Sequence, residues 1–111
     1  MNKDEIRKKD WKLFQSKLPC WQERYMATLL KEYAFLINDE TTPPSYRFHE
    51  LDKRIKADKS KAGVLVNLDK KYMEETIVEL LLDKAITKED LVDFSGELEY
   101  QVQEALKRRG F

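Results

Sequence analysis

Cys20 and His49 are the only cysteine and the only histidine in the chain, and they bound the thiol and zinc chemistry available to it. A thiol attacks as its thiolate, which a helix N-terminus favours. Cys20 follows Pro19, whose fixed φ and missing N–H suit the first turn of a helix, so the sequence places the thiol at such an end, beside Trp21. A Cys20–His49 nucleophile–base pair would need the fold to bring the two side chains together. A small buried hydrophobe is the plainer reading of Cys20. One cysteine and one histidine exclude a zinc site built on paired Cys and His, and a lone cysteine excludes an intramolecular disulfide. Gly63, Gly96 and Gly110 stand too far apart to form a phosphate-cradling loop. Leu82–Thr87 lies between two helical patterns, as a calcium loop would, but lacks the alternating acidic ligands and the central glycine.

The carboxylates of the C-terminal third are Glu74, Glu75, Glu79, Asp83, Glu89, Asp90, Asp93, Glu97, Glu99 and Glu104. A di-metal carboxylate bundle would need inward-facing Glu-x-x-His motifs, and this sequence has none. The chain is therefore expected to be non-enzymatic and to carry no cofactor. Its charges are segregated all the same. The formal net charge is zero, yet Lys53, Arg54, Lys56, Lys59 and Lys61 cluster around one helix junction, followed by Lys70 and Lys71, whereas Tyr72–Glu104 is dominated by acids. A basic cluster can hold phosphates of a nucleic acid. An acidic surface through Glu89, Asp93, Glu97 and Glu104 can instead dock onto a basic protein. Solvated helix faces that serve solubility alone carry the same pattern.

The elements that position these residues follow from the spacing of apolar side chains. The 111 residues suit one domain, 1–111, and 41% hydrophobic with 11% aromatic residues argues for a packed core. Charged residues at 38% exceed the usual quarter and suit helices with one wet face. Pro19–Asn38 carries Trp21, Tyr25, Leu29, Tyr33 and Leu36 at helical spacing, widened by Met26, Ala27, Leu30 and Ala34, which predicts a central helix covered on most sides. A preceding helix over Lys3–Lys17 bears Ile6, Trp11, Phe14 and Leu18, with a tight connection at Ser16–Leu18 that brings Trp11 near Trp21. Asn38–Ser45, with Pro43 and Pro44, is the clearest break. A third helix ends near Asp58 and carries Phe48, Leu51 and Ile55. After a junction at Asp58–Gly63, a fourth helix is predicted from Val64 to about Lys84, the β-branched Val64-Leu65-Val66 having no partner strand. Thr87 and Asp90 form a capping box, with Ile86 and Leu91 as a hydrophobic staple. They open a last helix through Leu91, Phe94, Leu98, Val102 and Leu106, with Gly96 inside it and Gly110 just past its end. The expected fold is all-α, a compact bundle of about five helices.

The chain also resembles a family of small helical proteins of gut Firmicutes and their mobile elements, one with no activity attached to it. The resemblance is carried by Asp10-Trp11-Lys12-Leu13-Phe14, Trp21-Gln22-Glu23 with Tyr25-Met26, and Lys31-Glu32-Tyr33. It continues through Leu51–Asp58, Gly63-Val64, and Ile86-Thr87 leading to Asp90-Leu91 and Phe94-Ser95. Membership would imply a regulator or an inhibitor of host defence. The N-terminus has no apolar core of a signal peptide, and no run approaches the roughly 18 apolar residues of a membrane span, so a cytoplasmic location without a membrane partner is expected. The functional expectation is a module that binds another macromolecule: most readily a protein, a second copy of itself among the candidates, and alternatively a nucleic acid through 53–71.

Overall fold

The computed structural model describes residues 2–111. The chain is all-helical, with four α-helices among the described residues: α1 (Lys3–Ile37), α2 (Pro44–Asp58), α3 (Met73–Leu82) and α4 (Gly96–Arg108). Single 3-10 turns at Lys70–Tyr72 and Lys88–Leu91 precede α3 and α4. The all-helical single domain matches the sequence expectation, and the helix count falls close to it.

The first two predicted helices are one. α1 runs for 35 residues through Pro19, with no connection at Ser16–Leu18. Phe14, Leu18, Trp21, Tyr25 and Leu29 are all buried, and their spacings of three and four keep one phase across the proline. An interior proline costs a helix about 3 kcal/mol, whereas each large apolar side chain removed from water returns about 1.5–3 kcal/mol. Five of them on one row outweigh the proline. Pro19 is exposed, so the carbonyl it leaves without an intrahelical donor, that of Gln15, lies on the wet side of the helix.

α1 also departs from the expectation of a helix covered along its length. Its N-terminal two thirds pack into the body formed by α3, α4 and the segments between them. The core there is Phe14, Leu18, Trp21, Met73, Ile77, Leu80, Leu91, Phe94, Leu98 and Val102 with their neighbours. Trp11 meets Phe14 edge-on at 5.9 Å, and Trp21 lies between Phe14 at 6.2 Å and Phe94 at 6.1 Å. The last turns of α1 leave the body and pair only with α2, which returns antiparallel after Asn38–Pro43. This two-helix arm gives a molecule of 59 × 29 × 22 Å with a radius of gyration of 17.0 Å, against about 13 Å for a compact chain of this length.

Two further boundaries differ. The predicted fourth helix begins at Met73 rather than Val64. Residues 64–69 are non-helical: Val64 and Leu65 N–H both donate to Lys61 C=O at the close of a turn, and Val64 and Val66 are half-buried against the core while Leu65 faces out. Gly63 neither caps α2 nor continues it. It is buried, and a Cβ there would lie 2.2 Å from the Tyr25 ring, so the backbone passes where only a glycine fits. The last helix likewise splits. Thr87 opens a 3-10 turn, its N–H donating to the Asp90 carboxylate at 2.8 Å, and α4 starts afresh at Ser95, whose hydroxyl accepts from Leu98 N–H at 3.1 Å. Gly96 is then the first helical residue rather than a kink.

α3 closes with the same hydrogen-bond pattern that ends α4. Ala85 N–H donates to Leu80 C=O and Lys84 N–H to Leu81 C=O, with Lys84 at φ 61°. Phe111 and Gly110 donate to Leu106 and Lys107 in the same way, and there Gly110 takes the positive φ, as the sequence predicts. Both are Schellman ends, which satisfy the orphan carbonyls of a helix C-terminus.

Candidate functional site

Continuity of α1 removes the argument for an activated thiol. Cys20 sits mid-helix and exposed, away from the positive end of the dipole at Lys3, and not in a helix N-terminus or a buried pocket. Its distance from His49 follows from helix geometry. At 1.5 Å per residue, Cys20 lies about 25 Å from the end of α1 that carries the arm's tip. His49 stands in the second turn of α2 next to that tip, its ring edge-on to Phe48 at 5.6 Å. The two are not brought together. No group of three or more His, Cys, Asp or Glu side chains able to hold a metal occurs among the described residues.

The basic cluster is spread around the end of α2. Arg54 turns back to α1, pairing with Glu32 at 2.8 Å and lying 5.4 Å from the centre of the Tyr33 ring. Lys56 pairs with Asp52 at 2.9 Å and Lys61 with Asp58 at 3.2 Å. Lys53 and Lys59 are exposed. Three of the five cations therefore already face carboxylates.

Asp58, one of only two buried charged residues identified in the core, organises this junction. It accepts from the Tyr33 hydroxyl at 2.5 Å and holds Lys61 on its other side. Burial pulls its carboxyl up, but the Tyr33 hydroxyl and the Lys61 ammonium prevail and hold it below the usual range. Burial, then the hydrogen bond to Asp58, pushes Tyr33 to about 12. The Asp58 hydrogen bond raises Lys61. Asp83, facing the same cluster, is raised by burial. The group is a structural clamp between the base of the arm and the body.

The acids of the C-terminal third meet the cations of α1 and of the C-terminus. Glu74 pairs with Arg7, Asp93 with Lys17 at 3.3 Å, and Glu79 with Arg109 at 2.5 Å. Arg24 grips Asp90 with both guanidinium nitrogens at 2.8 and 3.2 Å and reaches Ala85 C=O at 3.1 Å. Gln22 donates to Ala62 C=O at 3.1 Å. Both side chains tie loops to α1. Of the proposed docking acids, Glu89 and Asp93 lie on the turn before α4, Glu97 in its first turn, and Glu104 beside Lys107 at 3.5 Å. Five of the ten acids of this third, Glu74, Glu79, Asp90, Asp93 and Glu104, thus face cations.

Asp10 is the residue that reading for chemistry passed over. It is buried, and its two oxygens accept from Ser95 N–H at 3.0 Å and Ser95 hydroxyl at 2.6 Å. It thereby fixes the N-cap of α4 onto α1, at the wall of an open groove of about 660 Å³ that also includes Ile6, Leu13 and Phe94. Its partner Ser95 lies 85 residues away in the chain, so spacing along the sequence does not mark Asp10 for burial.

The arm is the outlier in exposure. Phe35 is 86% exposed, Phe48 72% and Leu30 64%, with Tyr46 and Ile37 also open to solvent. α2 buries only Asp58. The chain matches no protein-family model, no curated protein and no solved structure.

No helix among the described residues is long and apolar enough to cross a membrane. The arm's exposed apolar side chains are spread over a helical hairpin. Its edge is held by charge, since Arg47 donates to the terminal carbonyl of Ile37 at 2.6 Å while Arg54 and Glu32 bridge its base.

Proposed function

We propose that the protein is a non-enzymatic module that binds another protein through the arm formed by the end of α1 and by α2. The observation that carries this reading is Leu30, Ile37 and Phe48, large apolar side chains exposed on one flank of a two-helix projection, with Phe35 and Tyr46 exposed elsewhere on it. Exposed apolar area of this kind marks interaction surfaces when it is contiguous, and aromatic residues are enriched in interface cores. Lys53 and Lys59 add exposed charge on the arm, while Glu89 and Glu97 belong to the body, away from it. Resemblance to mobile-element proteins adds a role as regulator or inhibitor. The nucleic-acid alternative through 53–71 is the weaker reading, because Arg54, Lys56 and Lys61 are paired with acids.

The test is quantitative co-purification with the Leu30→Glu/Phe48→Glu double variant against the unchanged chain. Tyr100→Glu, on the exposed face of α4, serves as the control. Proteins captured by the unchanged chain and by the control are expected to disappear from the arm variant, with helicity by circular dichroism unaltered. Capture that survives the arm substitutions would sink the reading.

A further inference from the structure

Resting on the reading of the arm as an interaction surface, we infer that the occupant of its apolar face is a second copy of this chain, the two arms packing antiparallel into a four-helix bundle. Three observations lead there.

The first is where the apolar residues stand on the arm. At about 100° per residue, Glu32 lies to one side of the Tyr33 row that faces α2, and Leu30 and Ile37 lie to the other. On α2, Arg54 and the pair Phe48 and Ile55 flank the Leu51–Asp58 row in the same way. The Glu32–Arg54 ion pair shows that the polar flanks of the two antiparallel helices share one side of the hairpin. Leu30, Ile37, Phe48 and Ile55 therefore share the opposite side. The body does not cover it: Leu30, Ile37 and Phe48 are exposed and Ile55 half-exposed.

The second is the order of residue sizes along α1. Ala27, Leu30, Ala34 and Ile37 recur at spacings of three, four and three, all exposed, which is the seam spacing of paired helices. A two-fold axis level with Glu32 sets Ala27 opposite the partner copy's isoleucine and Leu30 opposite its alanine. Each large side chain then meets a small one in both halves, as an isologous contact requires. The bordering charges, Glu23, Lys31, Asp52 and Lys56, are of both signs, so the face selects neither an acidic nor a basic partner.

The third is area. The chain exposes 7832 Å², whereas a folded monomer of 13.3 kDa exposes about 6,450 Å². The excess of about 1,400 Å² is more than the roughly 800 Å² that one partner contributes to a standard interface.

Sedimentation of the purified full chain across concentrations tests this. A dimer is expected at about 100 μM. Leu30→Glu, which alters an exposed residue and leaves the body intact, is expected to raise the concentration for half-dimerisation at least about tenfold, since it would bury an unpaired charge. Phe35→Glu, on the far side of α1, is expected to leave it unchanged. Register is tested in a Cys20→Ser background carrying Ala27→Cys and Ile37→Cys. These positions lie about 15 Å apart along one helix, beyond the reach of a disulfide within a chain, so oxidation yields a covalent dimer only across the pair. A monomer at every concentration, or a dimer indifferent to Leu30→Glu, overturns the inference. So does equal cross-linking by either cysteine alone, which would place the copies in another register. Arm-dependent capture of a different protein by a monomeric chain would sink the dimer while sparing the protein-binding reading.

Discussion

Asp10 shows how a single carboxylate can fix an architecture without taking part in chemistry. It receives both donors of Ser95, and the Ser95 hydroxyl in turn caps α4, so one buried charge joins elements 85 residues apart in the chain. Hydrogen bonds to an ionised acceptor contribute about 1.5–3 kcal/mol each, and removing one partner strands the other. Asp10→Ala is therefore expected to lower unfolding stability by about 2–4 kcal/mol in urea denaturation, with the helical spectrum retained. Sequence patterning placed Asp10 on a helix but gave no sign of its burial, because its partner lies at the far end of the chain. The same holds for Gly63, which the sequence places in a junction and which the Tyr25 ring requires to be a glycine. Cys20 runs the other way: the features that made it look activated depended on a helix start that does not exist.

The helices were legible wherever their apolar period was long and uninterrupted. α1 was read as two because Pro19 is a strong local signal, although the phase of Phe14, Leu18, Trp21, Tyr25 and Leu29 runs straight through it. Packing of that row won over the proline's local cost. Pro19→Ala is accordingly expected to stabilise the protein by about 1–2 kcal/mol, restoring an intrahelical hydrogen bond at an exposed position, measured as a higher denaturation midpoint with an unchanged slope. The converse holds at Val64–Asp69, where apolar residues continue the helical spacing but Val64 and Val66 lie against the core from a turn and irregular chain. Thr87 and Asp90 were read correctly as a capping pair. What they cap is a single turn, because Ser95 offers a better-anchored start to α4 through Asp10.

At the level of the entire chain, the body and the arm differ in how firmly they are held. α3 buries Met73, Ile77, Val78 and Leu80, whereas α2 buries only Asp58, and regions with little buried apolar contact open first. Amide exchange in α2 is expected to accelerate on dilution, as the paired arms separate, while α3 and α4 remain protected. Equal protection at all concentrations would contradict a self-associating arm. Composition and periodicity were sufficient for the helical class, the single domain and most of the core, since burial demands apolar residues at helical spacing and the chain shows them. They also excluded an intramolecular disulfide and a zinc site of paired Cys and His, since the chain has one of each. Only the folded chain decided which apolar stripe stays uncovered and which charges are already paired. Both depend on which elements come to lie side by side: α3 and α4 cover the first part of α1 and leave its last turns with α2 alone, and Arg7, Lys17 and Arg24 reach acids more than sixty residues away. Spacing along a sequence records which residues share a face, and carries no record of what that face meets.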